Sequence, residues 1–271
     1  MNHPPPQFGP WALITGANSG IGAAFADELA TQGYNIVLVG RQKLAIAQAA
    51  RDLTQKHAVQ TREVIVDLSA PDFLQQISDQ TSDLDIGLLI SNAGDDAMGA
   101  LLRVELPKLK QMLRLNTASH LELTHHFGQL FEKRGGGGIL LVSSTAGLQG
   151  TPYLGNYAGS KAYLINLGMA LNYEMQGTGI NVTVLAPGPT KTPGLTDKPA
   201  IPLASLPAPQ MSSHKVVQIG LQALAKNKPF VIAGLMNRIL YFSGNLLGKT
   251  AGRNMWGLLL KGIIPKELNI R

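Results

Sequence analysis

With 271 residues, 45% hydrophobic and 15% charged, the chain has the size and composition of one globular domain with a substantial core. It has no cysteine, which excludes disulfides, thiolate metal sites and thiol nucleophiles. The net charge of +6 is unevenly placed, because residues 238–271 hold six basic side chains against one acid, Glu267. The remaining body is nearly neutral and lacks the basic stripe of a nucleic-acid protein.

The opening ten residues, Met1 to Pro10, have neither the basic nor the apolar region of a secretory signal and read as a flexible lead-in. No uncharged apolar run reaches the roughly 18 residues of a spanning helix. A cytoplasmic location is expected.

Trp11–Thr15 reads as a strand, followed at once by the glycine turn Gly16-Ala17-Asn18-Ser19-Gly20-Ile21-Gly22 and a helical stretch to Ala30. Glycines let backbone approach a pyrophosphate, and a helix N-terminus offers it free N–H groups. A dinucleotide is therefore expected here. Asn35–Gly40 is a second strand with Arg41 just beyond it, where an arginine suits the 2'-phosphate of NADP and an acid would suit the hydroxyl of NAD. Arg41 argues for NADP(H), with NAD as the alternative.

Lys43–His57 reads as a helix, Thr61–Asp67 as a third strand, 71–81 as a helix and Ile86–Ser91 as a fourth strand. Helices are expected from about Leu106 to Lys133, with the polar Asn116 in their apolar middle, where its amide must find partners. Glu122 and His125 have Glu-x-x-His spacing, but a carboxylate-bridged metal site needs two such pairs, and His125 and His126 point to different helix sectors. No metal is expected. Asp95 and Asp96 read as a solvated loop.

Ile139–Ser143 is a buried strand that delivers Ser144 to its carboxyl end, where open α/β sheets bind ligands. Thirteen residues on, Tyr157 and Lys161 are four apart at a helix start and share one face. A lysine ammonium there favours phenolate and is expected to lower the tyrosine pKa. The helix runs on to Met175. Ile180–Ala186 is a sixth strand, 194–211 a Pro-, Leu- and Ala-rich loop of lid type, Ser213 the N-cap of a helix to Lys226, and Pro229–Ile232 a seventh strand. Alternation of this kind predicts a doubly wound parallel sheet of about seven strands with helices on both faces.

The Thr15-Gly16-x-x-x-Gly20-x-Gly22 spacing, with Ser144, Tyr157 and Lys161, resembles the classical short-chain dehydrogenase/reductase family over about residues 10–235. The resemblance implies that Asp67 bonds the adenine amino group beside Leu68, and that Asn92-Ala93-Gly94 steadies the sheet along the cofactor. It also implies that Asn116 distorts its helix to hold a relay water, that Lys161 holds the ribose hydroxyls, and that the Pro187-Gly188 turn, with Thr190 and Thr192, receives the nicotinamide. Pro189 departs from the pattern because it has no N–H. The family places its substrate flap at about 190–212, and its members are expected to be homo-oligomers that interconvert a carbonyl and a secondary alcohol. The apolar flap favours an apolar substrate, expected to be of small to medium size. A non-catalytic dinucleotide-binding protein, or the same fold running epimerisation or dehydration, is the alternative.

Residues 236–271 form a basic amphipathic extension beyond the catalytic unit of 11–235. Leu235, Met236, Ile239, Leu240, Leu246 and Leu247, then Met255, Trp256, Leu259, Leu260, Ile263 and Ile264, recur at helical spacing beside basic residues. Such helices either pack over the cleft or on a second subunit, or lie on an anionic membrane.

Overall fold

The structure is a computed structural model that describes residues 7–192, 210–239, 248–262 and 264–270. Its strands are β1 (Trp11–Thr15), β2 (Asn35–Gly40), β3 (Thr61–Ile65), β4 (Ile86–Ser91), β5 (Gly137–Val142), β6 (Ile180–Ala186), β7 (Thr190–Lys191), β8 (Met211–Ser212) and β9 (Phe230–Ile232). The helices are α1 (Gly20–Thr31), α2 (Lys43–His57), α3 (Phe73–Thr81), α4 (Leu106–Leu113), α5 (Ser119–Arg134), α6 (Gly155–Glu174), α7 (Ser213–Ala225) and α8 (Lys249–Lys261).

Seven strands form one parallel sheet in the order β3-β2-β1-β4-β5-β6-β9. The near-continuous apolar strands follow from burial on both faces. Successive side chains point to opposite faces, so Ile14, Ile36, Leu38 and Leu185 pack against Phe25 and Leu29 of α1, Ile46 of α2 and Val216 of α7. Leu13, Val39, Leu141 and Val184 pack instead against Phe73 of α3, Phe127 and Phe131 of α5 and Ile165 of α6. Strand order reverses between β1 and β4, and a crevice opens at the carboxyl ends of the strands there.

Several expected boundaries move. β3 ends at Ile65, two residues short of Asp67. The stretch expected to be helical from Leu106 to Lys133 forms α4 and α5, joined by a π-helical turn at Arg114–Ala118, a distortion at Asn116 of the kind the resemblance implies. α6 starts at Gly155, before the expected Ala158, so Tyr157 lies in its first turn. The cap of α7 is Ser212, not Ser213, its side chain accepting from Lys215 N at 3.4 Å. A short ladder of β7 with β8 brackets the flap, whose residues 193–209 lie outside the described residues, as do Leu240, Leu246, Leu247 and Ile263 of the extension.

Of the lead-in, residues 1–6 lie outside the described residues, and Phe8 is held by its N–H donating to the Tyr34 hydroxyl at 3.3 Å. Its carbonyl occupies the space that a Cβ on Gly87 would need. Among the described residues, no helix is long and apolar enough to cross a membrane.

Candidate active site

The glycine turn has the shape its sequence demands. Gly16 and Gly20 have φ of +66° and +59°, a region that L side chains rarely enter. A Cβ on Gly22 would stand 2.0 Å from the Gly16 carbonyl oxygen. Ser19 precedes α1 without capping it through its side chain, so the first-turn N–H groups face the crevice as an anion site. Ile21 packs on the core beneath. A pyrophosphate fits this cradle.

The turn is tied to β4. Thr15 Oγ1 accepts from the N–H groups of Asn92 and Ala93, both at 2.9 Å, and Asn92 Nδ2 donates to the Thr15 carbonyl at 2.9 Å. Thr192 comes to the same place from the far side, because its methyl would lie 3.2 Å from a Cβ on Gly20. The Pro-Gly segment is anchored on the way: Pro187 O accepts from Thr145 N at 2.9 Å, Thr190 Oγ1 donates to Gly188 O at 2.9 Å, and Asn237 leaves Gly188 no room for a side chain. Pro189, which cannot donate, uses its carbonyl to accept from Met211 N at 3.0 Å.

At the other end of the crevice Arg41 is exposed, and Asn18 Nδ2 donates to Gln42 Oε1 at 3.2 Å. Asp67 Oδ1 accepts from Ser69 N and Ser69 Oγ at 2.8 and 2.7 Å, an aspartate turn. Burial pushes the Asp67 carboxyl up, but the Ser69 bonds and the charge of Arg41 outweigh it and hold the group below its usual range. Arg41 and Asp67 thus lie close enough for their charges to interact. Leu68 sends its side chain into the core.

The four expected catalytic residues converge. β5 delivers the Ser143-Ser144 pair, and Ser143 is spent on the helix, its Oγ donating to Lys161 O at 2.7 Å. Ser144 turns the other way, accepts from Ala146 N at 3.1 Å and hydrogen-bonds Tyr157. Lys161 is buried, its Nζ donating to Val142 O at 3.0 Å and lying 5.8 Å from the Tyr157 ring centroid. Asn116 sits in the π turn, a distortion that often marks function. Its Oδ1 accepts from Asp95 N at 2.9 Å, and its Nδ2 donates to Asp95 O at 2.8 Å and to Ser160 Oγ at 3.2 Å. A Cβ on Gly94 would lie 3.2 Å from Lys161 Nζ and 3.3 Å from Asn116 Oδ1, so Asn92-Ala93-Gly94 borders the catalytic group closely.

The proton affinities correct one expectation. Lys161 does not make the Tyr157 phenol acidic. Burial pushes it up to about 12, a bond from Ser144 opposes this, and the charge of Asp96 adds to it. Although the residue surface is partly open to the cleft, the surrounding protein decides the direction. Lys161 is itself brought down to about 8 by burial, which weakens the ammonium that was to act on the phenol. Asp96 is therefore more than a solvated loop residue, since its field reaches the phenol.

The wall facing Tyr157 is apolar. Ala97, Leu109 and Met112 pack on the tyrosine itself. Beside them Met98, Leu260 and Ile264 form a cluster with Tyr153, Leu154, Trp256 and Leu268, which packs one face of the basic extension against Met98, Tyr153 and Leu154. It is fastened there by Ala100 N donating to Leu268 O at 2.8 Å and by Tyr153 Oη donating to Asn269 Oδ1 at 3.3 Å, while Gly99 N donates to Tyr153 O at 2.8 Å within the body. Tyr153 has φ of +63°.

Sequence reasoning passed over Tyr153 and His120. His120 is buried, with Nδ1 2.7 Å from Ser91 Oγ and Nε2 2.8 Å from Ala93 O. The available signal was its place four residues after Asn116, one turn along the same inward face. Glu122, His125 and His126 lie on α5, and among the described residues no three His, Asp or Glu side chains form a metal-holding group.

The sequence profile of the short chain dehydrogenase family matches residues 10–200. A 7β-hydroxysteroid dehydrogenase of Clostridium sardiniense is 34% identical over 233 residues, 86% of this chain and 88% of the other. A very-long-chain 3-oxoacyl-CoA reductase of Mus musculus is 32% identical over 239 residues, 86% and 75% of the two chains. Among solved structures, a 7β-hydroxysteroid dehydrogenase superposes with a TM-score of 0.85 at 28% identity, covering 93% of this chain and 98% of that one. A short-chain dehydrogenase from Sphingobium yanoikuyae in complex with NADPH superposes with a TM-score of 0.78 at 27% identity, covering 89% and 95%. The chain belongs to the short-chain dehydrogenase/reductase family, as an NAD(P)-dependent oxidoreductase acting on CH–OH groups with the Ser144, Tyr157 and Lys161 set.

Proposed function

We propose that this protein is an NADPH-dependent reductase of bulky apolar ketones. The observation that carries the reading is the convergence of Ser144, Tyr157 and Lys161 under an apolar wall. A phenol keeps its proton at neutral pH and can give it to a carbonyl oxygen. Bound NADPH supplies the hydride. Ser144 donates a hydrogen bond to the carbonyl oxygen, Tyr157 gives that oxygen its proton, and Lys161 holds the ribose hydroxyls. The Asn116 amide is taken up by Asp95 and Ser160, so a relay water falls to the main chain that the π turn disturbs.

Arg41, exposed at the end of β2, supports NADP over NAD, with Asn18, Ser19 and Gly20 under the pyrophosphate and Asp67 toward the adenine. The relatives named for a 7β-hydroxysteroid and a very-long-chain 3-oxoacyl thioester support a large apolar substrate. The decisive experiment mixes the purified protein with NADPH or NADH and a 7-oxo steroid, a long-chain 3-oxoacyl-CoA or a small ketose. We expect NADPH oxidation with a bulky substrate and its loss in Tyr157→Phe. NADPH binding with no turnover on any substrate overturns the reading in favour of a non-catalytic dinucleotide-binding protein, and product formed without net cofactor oxidation favours epimerisation or dehydration.

The same reading includes a homo-oligomer in the cytoplasm. Leu121 and Leu130 on α5 and Tyr163, Met169 and Tyr173 on α6 are exposed, and apolar helix faces of this kind support pairing with a second copy. Met255 and Leu258 are exposed on the outer side of α8, near Arg253 and Lys261, which supports peripheral contact with an anionic membrane. Sedimentation tests the first, and flotation on anionic vesicles with and without residues 236–271 tests the second.

A further inference from the structure

His120 is a buried titratable group that the reaction above does not use. Its two ring nitrogens are both engaged, and the partners fix which one carries the proton. The Ala93 carbonyl can only accept, so Nε2 at 2.8 Å bears hydrogen and donates to it. Burial first, and the charge of Lys161 second, push the ring down to about 3, so it is neutral and Nδ1 is bare. Ser91 Oγ, 2.7 Å away, must then donate to Nδ1.

Ala93 is thereby held from both sides. Its N–H is taken by Thr15 Oγ1 at 2.9 Å and its carbonyl by His120. The next residue is Gly94, whose Cα stands so close to Lys161 and Asn116 that an added Cβ would lie 3.2 and 3.3 Å from their Nζ and Oδ1. The backbone at Gly94 therefore borders the catalytic lysine with no room for a side chain between them. We infer that His120 is a positioning residue: through its bond to the Ala93 carbonyl it sets the Ala93–Gly94 backbone, and with it the place of Lys161 and of the cofactor edge beside it. Its neutrality also keeps a second positive charge away from the ammonium.

The test compares His120→Gln with His120→Asn. The amide nitrogen of glutamine reaches the place of Nε2 and can donate to Ala93 O, whereas that of asparagine stops near Nδ1 and leaves the carbonyl without a donor. Two readouts are used, the Kd for NADPH by fluorescence and kcat with whichever ketone the wild type reduces. The kcat arm rests on the proposed reaction and the Kd arm does not, so a protein that turned over no ketone would still be read by NADPH binding. We expect His120→Gln to stay within about threefold of the wild type and His120→Asn to lose at least tenfold in NADPH affinity or in kcat, at equal melting temperature. Equal values for the two variants, or losses that only follow melting temperature, overturn the proposal. Nitrogen-15 spectra of the wild-type ring add a direct check: Nε2 protonated and Nδ1 bare from pH 5 to 8 is expected, and the opposite tautomer overturns it.

Discussion

Ser143 and Ser144 are adjacent in the chain and have opposite partners: Ser143 Oγ donates to the backbone carbonyl of Lys161 at 2.7 Å, while Ser144 Oγ faces the phenol of Tyr157. Removing each hydroxyl should separate stability from chemistry. Ser144→Ala is expected to lower kcat by about 10²-fold with little change in unfolding. Ser143→Ala is expected to cost about 1 kcal/mol of stability and to leave kcat within a few-fold. Steady-state kinetics and urea midpoints on both variants check this.

Lys161 carries a stability cost that depends on pH. Its pKa falls from 10.5 to about 8 on folding, equivalent to about 3 kcal/mol against the folded state wherever the ammonium exists. Below pH 8 both states are protonated and the penalty is complete. Between about 8 and about 10.5 the unfolded chain holds more protons, so stability climbs with pH. Lys161→Met should therefore be inactive yet more stable at pH 7, by about 2 kcal/mol once the lost bond to Val142 O is counted. That margin should close by pH 10.5, as measured by urea unfolding at both pH values.

The same two groups set the pH profile. Tyr157 keeps its proton to about pH 12 and Lys161 loses its own near 8. Reduction should hold steady through neutral pH and fall along a single alkaline limb near pH 8. A limb near 10, the ordinary phenol value, would assign the titration to an unshifted tyrosine.

Arg41→Ala should raise the KM for NADPH by about 10- to 100-fold, the worth of a charged hydrogen bond of about 1.5–3 kcal/mol, and leave the KM for NADH within about twofold. Equal changes with both cofactors would remove Arg41 from the 2'-phosphate.

Two glycines should respond to alanine with opposite signs. At Gly22 the new Cβ would meet the Gly16 carbonyl at 2.0 Å, and we expect a loss of about 2–3 kcal/mol. Gly159 is exposed on α6, with nothing within 4 Å of a new Cβ. There alanine should add up to about 1 kcal/mol through helix propensity. Thermal melts of the two variants decide it.

Much of this architecture is legible in local patterns. The apolar runs gave seven strands because both faces of a parallel sheet are covered, and the glycine spacing marked the cradle because backbone there must approach an anion. What escaped was set by tertiary contact. The π turn at Arg114–Ala118 leaves no mark in the apolar periodicity, since one extra residue in a turn hardly changes the pattern on either side, and only the family resemblance at Asn116 pointed to a distortion there. Ser212 and Ser213 are chemically alike, so only the observed bond to Lys215 N chooses the cap. The basicity of Tyr157 was misjudged because spacing shows the lysine next door but not the protein mass that desolvates both groups. His120 and Ser91 are 29 residues apart, and neither stands out until the fold brings them to 2.7 Å.

Tyr153 sets two requirements against each other. Its left-handed backbone at φ +63° is a conformation that glycine takes without strain and a bulky residue holds at about 1–3 kcal/mol. Its ring and hydroxyl are what join the extension to the body. Glycine would relieve the strain only by releasing the extension, so this position trades local backbone ease for the attachment of residues 256–269 to the body.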